Sequence, residues 1–154
     1  MRRVVSLLLL ALLVAVPVLA QGLPEKSDQV VQYRISVTHD PAKRQLTGQQ
    51  TLTWRNPSTA DSVSELQFHL YLNAFKNTKS TFMKESGGQL RGDAMGKDSW
   101  GWLDITSITT SSGVDLKPTL AFIQPDDGNK DDQTVAKVVL PEPVPPGGAV
   151  ISTV

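Results

Sequence analysis

The side chains best suited to proton transfer or metal ligation are the two histidines, His39 and His69, thirty positions apart. They could meet across neighbouring strands. A zinc site, however, needs three or four ligands; cysteine is absent, and no Asp or Glu stands at ligand spacing around either ring. A structural or surface histidine is the better account of both. Asp127, Asn129 and Asp131 occupy alternate positions, like the first three ligands of an EF-hand loop. The pattern then breaks, with Asp132 where the sharp turn needs glycine and Val138 where a bidentate Glu would close the shell. A solvated acidic hairpin loop fits better than a calcium site. Gly96 to Gly101 has the wrong spacing for a Gly-x-Ser-x-Gly elbow, and no Gly-rich phosphate loop precedes a helix. Arg91-Gly92-Asp93 is an adhesion-like tripeptide that chance explains, and Pro57 disqualifies Asn56-Pro57-Ser58 as a glycosylation acceptor. His-Glu-x-x-His does not occur. No catalytic, cofactor-binding or metal-ligating residue is assigned.

The elements around these residues read as strands. From Glu65 to Asn73, Leu66, Phe68, Leu70 and Leu72 alternate with polar residues, the period-two mark of a half-buried strand. This stretch is expected to be the central strand of an antiparallel sheet. Val30 to Thr38 alternates in the same way through Val31, Tyr33, Ile35 and Val37. After the turn at Asp40-Pro41, Gln45 to Arg55 returns with Leu52 and Trp54 on one side, and Asn56-Pro57 stops it. Three successive strands with short turns predict a meander. Tyr33, Ile35, Leu52, Trp54, Leu66, Phe68, Leu70 and Leu72 are the expected buried face.

Asn73 to Ser99 holds neither period and reads as a long irregular insertion, with room for a short helix between Lys76 and Glu85. Strands are expected again at Trp102 to Thr110, Leu120 to Ile123 and Val135 to Leu140, with an acidic turn at Asp126 to Asp132. Pro141 to Gly148 reads as a rigid connector, and Ala149 to Val154 as a last strand. The fold class is all-β: an antiparallel sheet or β-sandwich carrying one long irregular insertion. A natural domain seldom stops on a bare apolar strand edge, so the sequence reads as a β-domain truncated at its C-terminal end. Expressed alone, it is expected to oligomerise or aggregate.

Arg2 and Arg3, the aliphatic run from Val4 to Val16, and Val18-Leu19-Ala20 together describe a secretory signal peptide over residues 1–20. The apolar run is shorter than the roughly 20 residues that a permanent membrane anchor needs. A polar lead follows over 21–29, and the β-domain spans 30–154. Export to the periplasm or beyond is the expectation. Losing two arginines from 15 basic and 15 acidic residues leaves a net charge of −2, with no basic stripe for nucleic acid. Without disulfides, the remaining chain of about 134 residues must hold together through its core, which its size allows.

Three pieces of sequence, taken together, resemble one family. The first is Tyr33-x-Ile35-x-Val37 with Asp40-Pro41, then Leu46-x-Gly48-Gln49-x-Thr51-Leu52-Thr53-Trp54-x-Asn56. The second is Leu66-x-Phe68-His69-Leu70-x-Leu72-Asn73-Ala74-Phe75, followed by Ser80-Thr81-Phe82 and Gly101-Trp102. The third is Leu140-Pro141-x-Pro143-Val144-x-Pro146-Gly147. This order is similar to the N-terminal β-domain of bacterial exported relatives of membrane alanyl aminopeptidase, the gluzincin zinc metallopeptidases. The resemblance covers about residues 30 to 154. It implies a saddle-like, mostly antiparallel sheet that packs on a thermolysin-like catalytic domain of the same polypeptide and borders its cleft. The zinc, its His-Glu-x-x-His helix and the Gly-x-Met-x-Asn segment that holds a peptide's free amine would belong to that other domain. None of those motifs matches a position here, so no residue role is carried over. Peptide substrates would be met only through the parent protein, and the Asn73 to Trp102 segment is the expected contact with the catalytic domain. On the residues alone, a stand-alone exported β-sandwich that binds or adheres is the alternative; a small barrel around an apolar ligand fits less well.

Overall fold

The computed structural model describes residues 28–154, so the signal peptide expected over 1–20 and most of the polar lead lie outside the described residues. The chain is all-β with antiparallel pairing throughout. β1 (Val31–Asp40) and β2 (Gln45–Arg55) form a long hairpin whose ladder runs without a break from Val31↔Trp54 to Asp40↔Gln45. Asp40 closes its turn by accepting from the amides of Ala42 and Lys43. β3 (Val63–His69) does not continue this meander. It joins a second sheet, of order β3-β8-β7, with β7 (Ala121–Ile123) and β8 (Val135–Val144). The first sheet is completed by β9 (Ala149–Thr153) and β6 (Thr109–Thr110), in the order β1-β2-β9-β6. A small hairpin, β4 (Gln89–Leu90) with β5 (Asp93–Ala94), stands in the insertion.

The central strand of the second sheet is therefore β8, and the expected centre, β3, is an edge. Both Phe68 of β3 and Phe122 of β7 pair with Ala136, so two aromatic residues flank a small, fully buried one. Leu66 pairs with Val138 one step along. The buried face formed by Leu66, Ala136, Val138 and Leu140 is covered by Ile105, Ile108 and Leu116, and by Trp54, Val150 and Val154 of the other sheet, so one core joins both sheets. Pro141 and Pro143 lie within β8, where its register with β3 shifts between Val63 and Glu65. Proline lacks a donor, and an interrupted ladder is where a strand tolerates it. The expected connector is thus strand as far as Val144, with the turn left to Pro145–Gly148.

Other expectations are corrected by the way the core is filled. The alternation from Leu66 ends at His69: Asn73 donates back to Leu70, and Tyr71–Phe75 winds into a 3₁₀ turn that leaves Leu72 exposed. The strand expected over Trp102 to Thr110 shrinks to the two residues of β6. Ile105 and Ile108 both enter the core from positions three apart, a spacing that no strand can serve. Tyr33 and Ile35, expected inside, are exposed, because the shared core reaches the first sheet around Trp54, Val150 and Val154 and stops short of them. β9 pairs on both flanks, with β2 and β6, so the last strand is not a free edge.

Ile108 is fully buried, and its replacement by alanine should cost about 2–5 kcal/mol through lost transfer energy and a residual cavity. Tyr33→Ala should stay within about 0.5 kcal/mol of the parent. Urea unfolding of the two variants measures both, and equal losses would contradict the placement of the core.

Candidate functional site

Two buried asparagines fix the frame on which the insertion hangs. Asn56 donates from Nδ2 to the carbonyls of Asp61 (2.8 Å) and Val144 (3.0 Å) and accepts from the amide of Ser58. Its own backbone bonds Gly148 and Gly147, while the Arg55 guanidinium donates to the Gly147 carbonyl. Asn73 donates from Nδ2 to the Gln133 carbonyl (2.9 Å) and accepts from the Leu103 amide (2.7 Å). The amide of Gly101 reaches the Phe75 carbonyl. Asn73 thereby holds the start of the insertion, its end and the approach to β8 at one point. Asn56 thus meets Gly147 and Gly148 from more than 90 positions away, and Asn73 meets Leu103 and Gln133 from 30 and 60 positions away.

The acidic loop Asp126 to Asp132 has a mechanical role. It holds the first turn of the short helix α1 (Thr81–Glu85). Ser80 Oγ accepts from the Met83 amide as the N-cap, and Asp132 accepts from the Thr81 amide at 3.0 Å. Asp127 accepts from the Thr81 hydroxyl, and Asn129 donates to the Lys79 carbonyl and Thr81 Oγ1 while accepting from Lys84 Nζ. Bonds from the Thr81 hydroxyl and the Asn129 amide hold the Asp127 carboxyl below its ordinary range. Burial pushes Asp132 upward, but the hydroxyl and amide of Thr134 and the amide of Thr81 outweigh it and keep this carboxyl low. On β3, Gln67 and then Lys137 lower Glu65 in the same direction.

Held in this way, the insertion encloses an open apolar concavity of about 420 Å³ lined chiefly by Leu72, Phe75, Phe82, Met83, Leu90 and Met95. Phe75 and Phe82 meet in a tilted pair with centroids 5.1 Å apart. Gly101 lies against Leu72, where an added Cβ would come within 3.1 Å of its side chain. Leu72 and Leu90 of this lining are exposed, and so are Tyr71 (74%), Trp100, Trp102 (54%) and Leu103, which lie close to lining residues along the chain. Such a surface suits the apolar side chains of a partner rather than acid–base work.

The residues first singled out are spread over the molecule. His39 ends β1 in the first sheet; His69 ends β3 in the second and stacks on Tyr71 at 5.1 Å. Arg91 and Gly92 form the two-residue turn between β4 and β5, both at positive φ, which accounts for the glycine of that tripeptide. Among the described residues no three His, Cys, Asp or Glu side chains come together to hold a metal ion. A scan against protein families, a search of curated proteins and a search of solved structures found no match.

Because Asp127 and Asp132 titrate below their ordinary range in the fold, their contribution is fully present above about pH 5 and lost as pH falls through about 4 and lower. Asp127→Asn combined with Asp132→Asn should lower the melting temperature at pH 7 and flatten its decline between pH 5 and 2. Thermal melts across that range check this; parallel curves for parent and variant would count against the clamp.

Proposed function

We infer that this chain is the non-catalytic N-terminal β-domain of an exported zinc aminopeptidase-like metallopeptidase. It packs on, and fences the cleft of, a thermolysin-like domain of the same polypeptide. The observation that carries this is the apolar concavity on the insertion: Leu72 and Leu90 of its lining are exposed, and Tyr71, Trp100, Trp102 and Leu103, close to lining residues along the chain, are exposed as well. Exposed apolar surface of this kind is what a domain presents to a permanent neighbour. The insertion is also pinned at both ends through Asn73, so the surface is held in place. The family resemblance supplies the identity of the neighbour, and peptide hydrolysis belongs to that neighbour.

A second reading is a stand-alone exported β-sandwich that binds or adheres, and one observation favours it. Both sheets share a single core of their own. Sequencing the gene downstream of the Val154 codon separates the two: a continuing frame that encodes His-Glu-x-x-His supports the peptidase domain, and an immediate stop favours the module. In the full-length enzyme, deleting residues 86–98 should change substrate preference or domain docking, read from kcat/KM across aminoacyl substrates and from the melting profile. Unchanged kinetics and melting would remove the insertion from the interface.

A further inference from the structure

Among the described strands, most sheet edges carry a guard against pairing with another chain. β6 is two residues long and β7 three, while β3 carries a register irregularity and the charged Glu65. Short edges, irregularities and charges are the usual protections. β1 has fewer of them. Its ten residues keep one register with β2, contain no proline or lysine, and have no described strand on the outer side.

The polarity of that outer side follows from one bond. The Arg55 amide donates to the Val30 carbonyl at 2.8 Å, so even-numbered β1 residues exchange hydrogen bonds with β2. The N–H and C=O groups of Val31, Tyr33, Ile35, Val37 and His39 then point outward. The same odd-numbered residues form the apolar stripe, with Tyr33 and Ile35 each 60% exposed and Val37 54%. The stripe is symmetric about Ile35: Tyr33 and Val37 flank it, and Gln32, Arg34, Ser36 and Thr38 fill the opposite face. A strand laid antiparallel on this edge with Ile35 at its centre would meet apolar residues with apolar ones.

We propose that the β1 edge joins two copies of this chain about a two-fold axis at Ile35, making one continuous sheet of β1 and its partner strand. In that register Ile35 faces its own copy in a hydrogen-bonded pair. Tyr33 packs on the partner's Val37, an aromatic against a β-branched residue, and Arg34 faces the partner's Ser36. Centring the axis on Arg34 instead would set two guanidinium groups opposite each other, which charge disfavours. The strands and their stripe would cover on the order of 1,000 Å² in total, near the lower bound for a specific interface, so the association is expected to be reversible. The β1 edge and the insertion surface are separate features, so the dimer does not depend on the peptidase reading.

Sedimentation velocity of the full chain over a concentration series should show a monomer–dimer equilibrium. Ile35→Lys, placing two ammonium groups across the axis, should raise the dissociation constant tenfold or more with the monomer's cooperative melt retained. Ile35→Pro removes an outward donor at a position where an edge strand tolerates proline, and should do the same. Since the chain has no cysteine, Ile35→Cys should cross-link under mild oxidation: paired Cα atoms about 5.5 Å apart are within disulfide reach. Leu46→Cys, one strand further in, should not. A monomer at every concentration, open-ended growth, or equal linking through Leu46→Cys would each overturn the proposal.

Discussion

The structure depends on covering one face of β8. Ala136, Val138 and Leu140 are all buried, and each surrounding element lends them something. β3 and β7 supply flanking aromatics, the stretch after the insertion supplies Ile105, Ile108 and Leu116, and the first sheet supplies Trp54, Val150 and Val154. The three aliphatic side chains after the insertion come from irregular backbone. Irregular backbone can cover a core only if its polar groups find partners. Leu116 donates to the Ile108 carbonyl, the Lys117 ammonium reaches the Ile105 carbonyl, and Thr110 bonds Val114 and Ser112. With those bonds made, residues 102–116 can serve as a core wall without being a strand.

The buried asparagines follow from the same need. A chain without disulfides and with long connections must hold its loop junctions by other means. Each asparagine offers two donors and an acceptor at one point, worth about 1 kcal/mol per satisfied bond, while an orphaned buried group costs more. Asn56 ties the end of β2 to the Pro145–Gly148 turn and so aligns β8 with β9 across the two sheets. Asn73 does the equivalent for the insertion.

Much of the strand content was legible from period-two alternation: β1, β2, most of β3, β7, β8 and β9 stand near where alternation or apolar runs put them. Partnership was not legible. Alternation says that one face is apolar; it does not say which layer covers that face, and β1 and β2 show the difference. Trp54 packs on the core of the second sheet and Leu52 beside it is buried, whereas Tyr33 and Ile35, on the same side of the same hairpin, are exposed. Leu70 and Leu72 continue the alternation of β3 but lie beyond its last ladder pair, and the 3₁₀ turn breaks the period there. As for the site, aromatic residues too numerous for a lone loop pointed to the insertion. The acidic loop's part in holding it was hidden, because Asp127 and Asp132 act on Thr81 from 46 and 51 positions away.

The insertion and the β1 stripe expose apolar surface for different physical reasons, and that bears on what each can bind. The insertion surface surrounds a hollow and is built from side chains at irregular spacing, so its partner must be shaped to match. The β1 edge offers a regular row of backbone donors and acceptors beside a two-residue repeat, so its selectivity can come only from register and from side chains that meet across the strands. A mirror-symmetric pattern such as Tyr33-Ile35-Val37 suits its own copy in one antiparallel register, whereas an unrelated extended segment gains the backbone bonds without the full match of faces. Edge exposure alone would favour indiscriminate pairing. Arg34 penalises the register centred on it, and the arrangement about Ile35 keeps Tyr33, Ile35 and Val37 all paired with one another, whereas centring on Ser36 would set Tyr33 against His39.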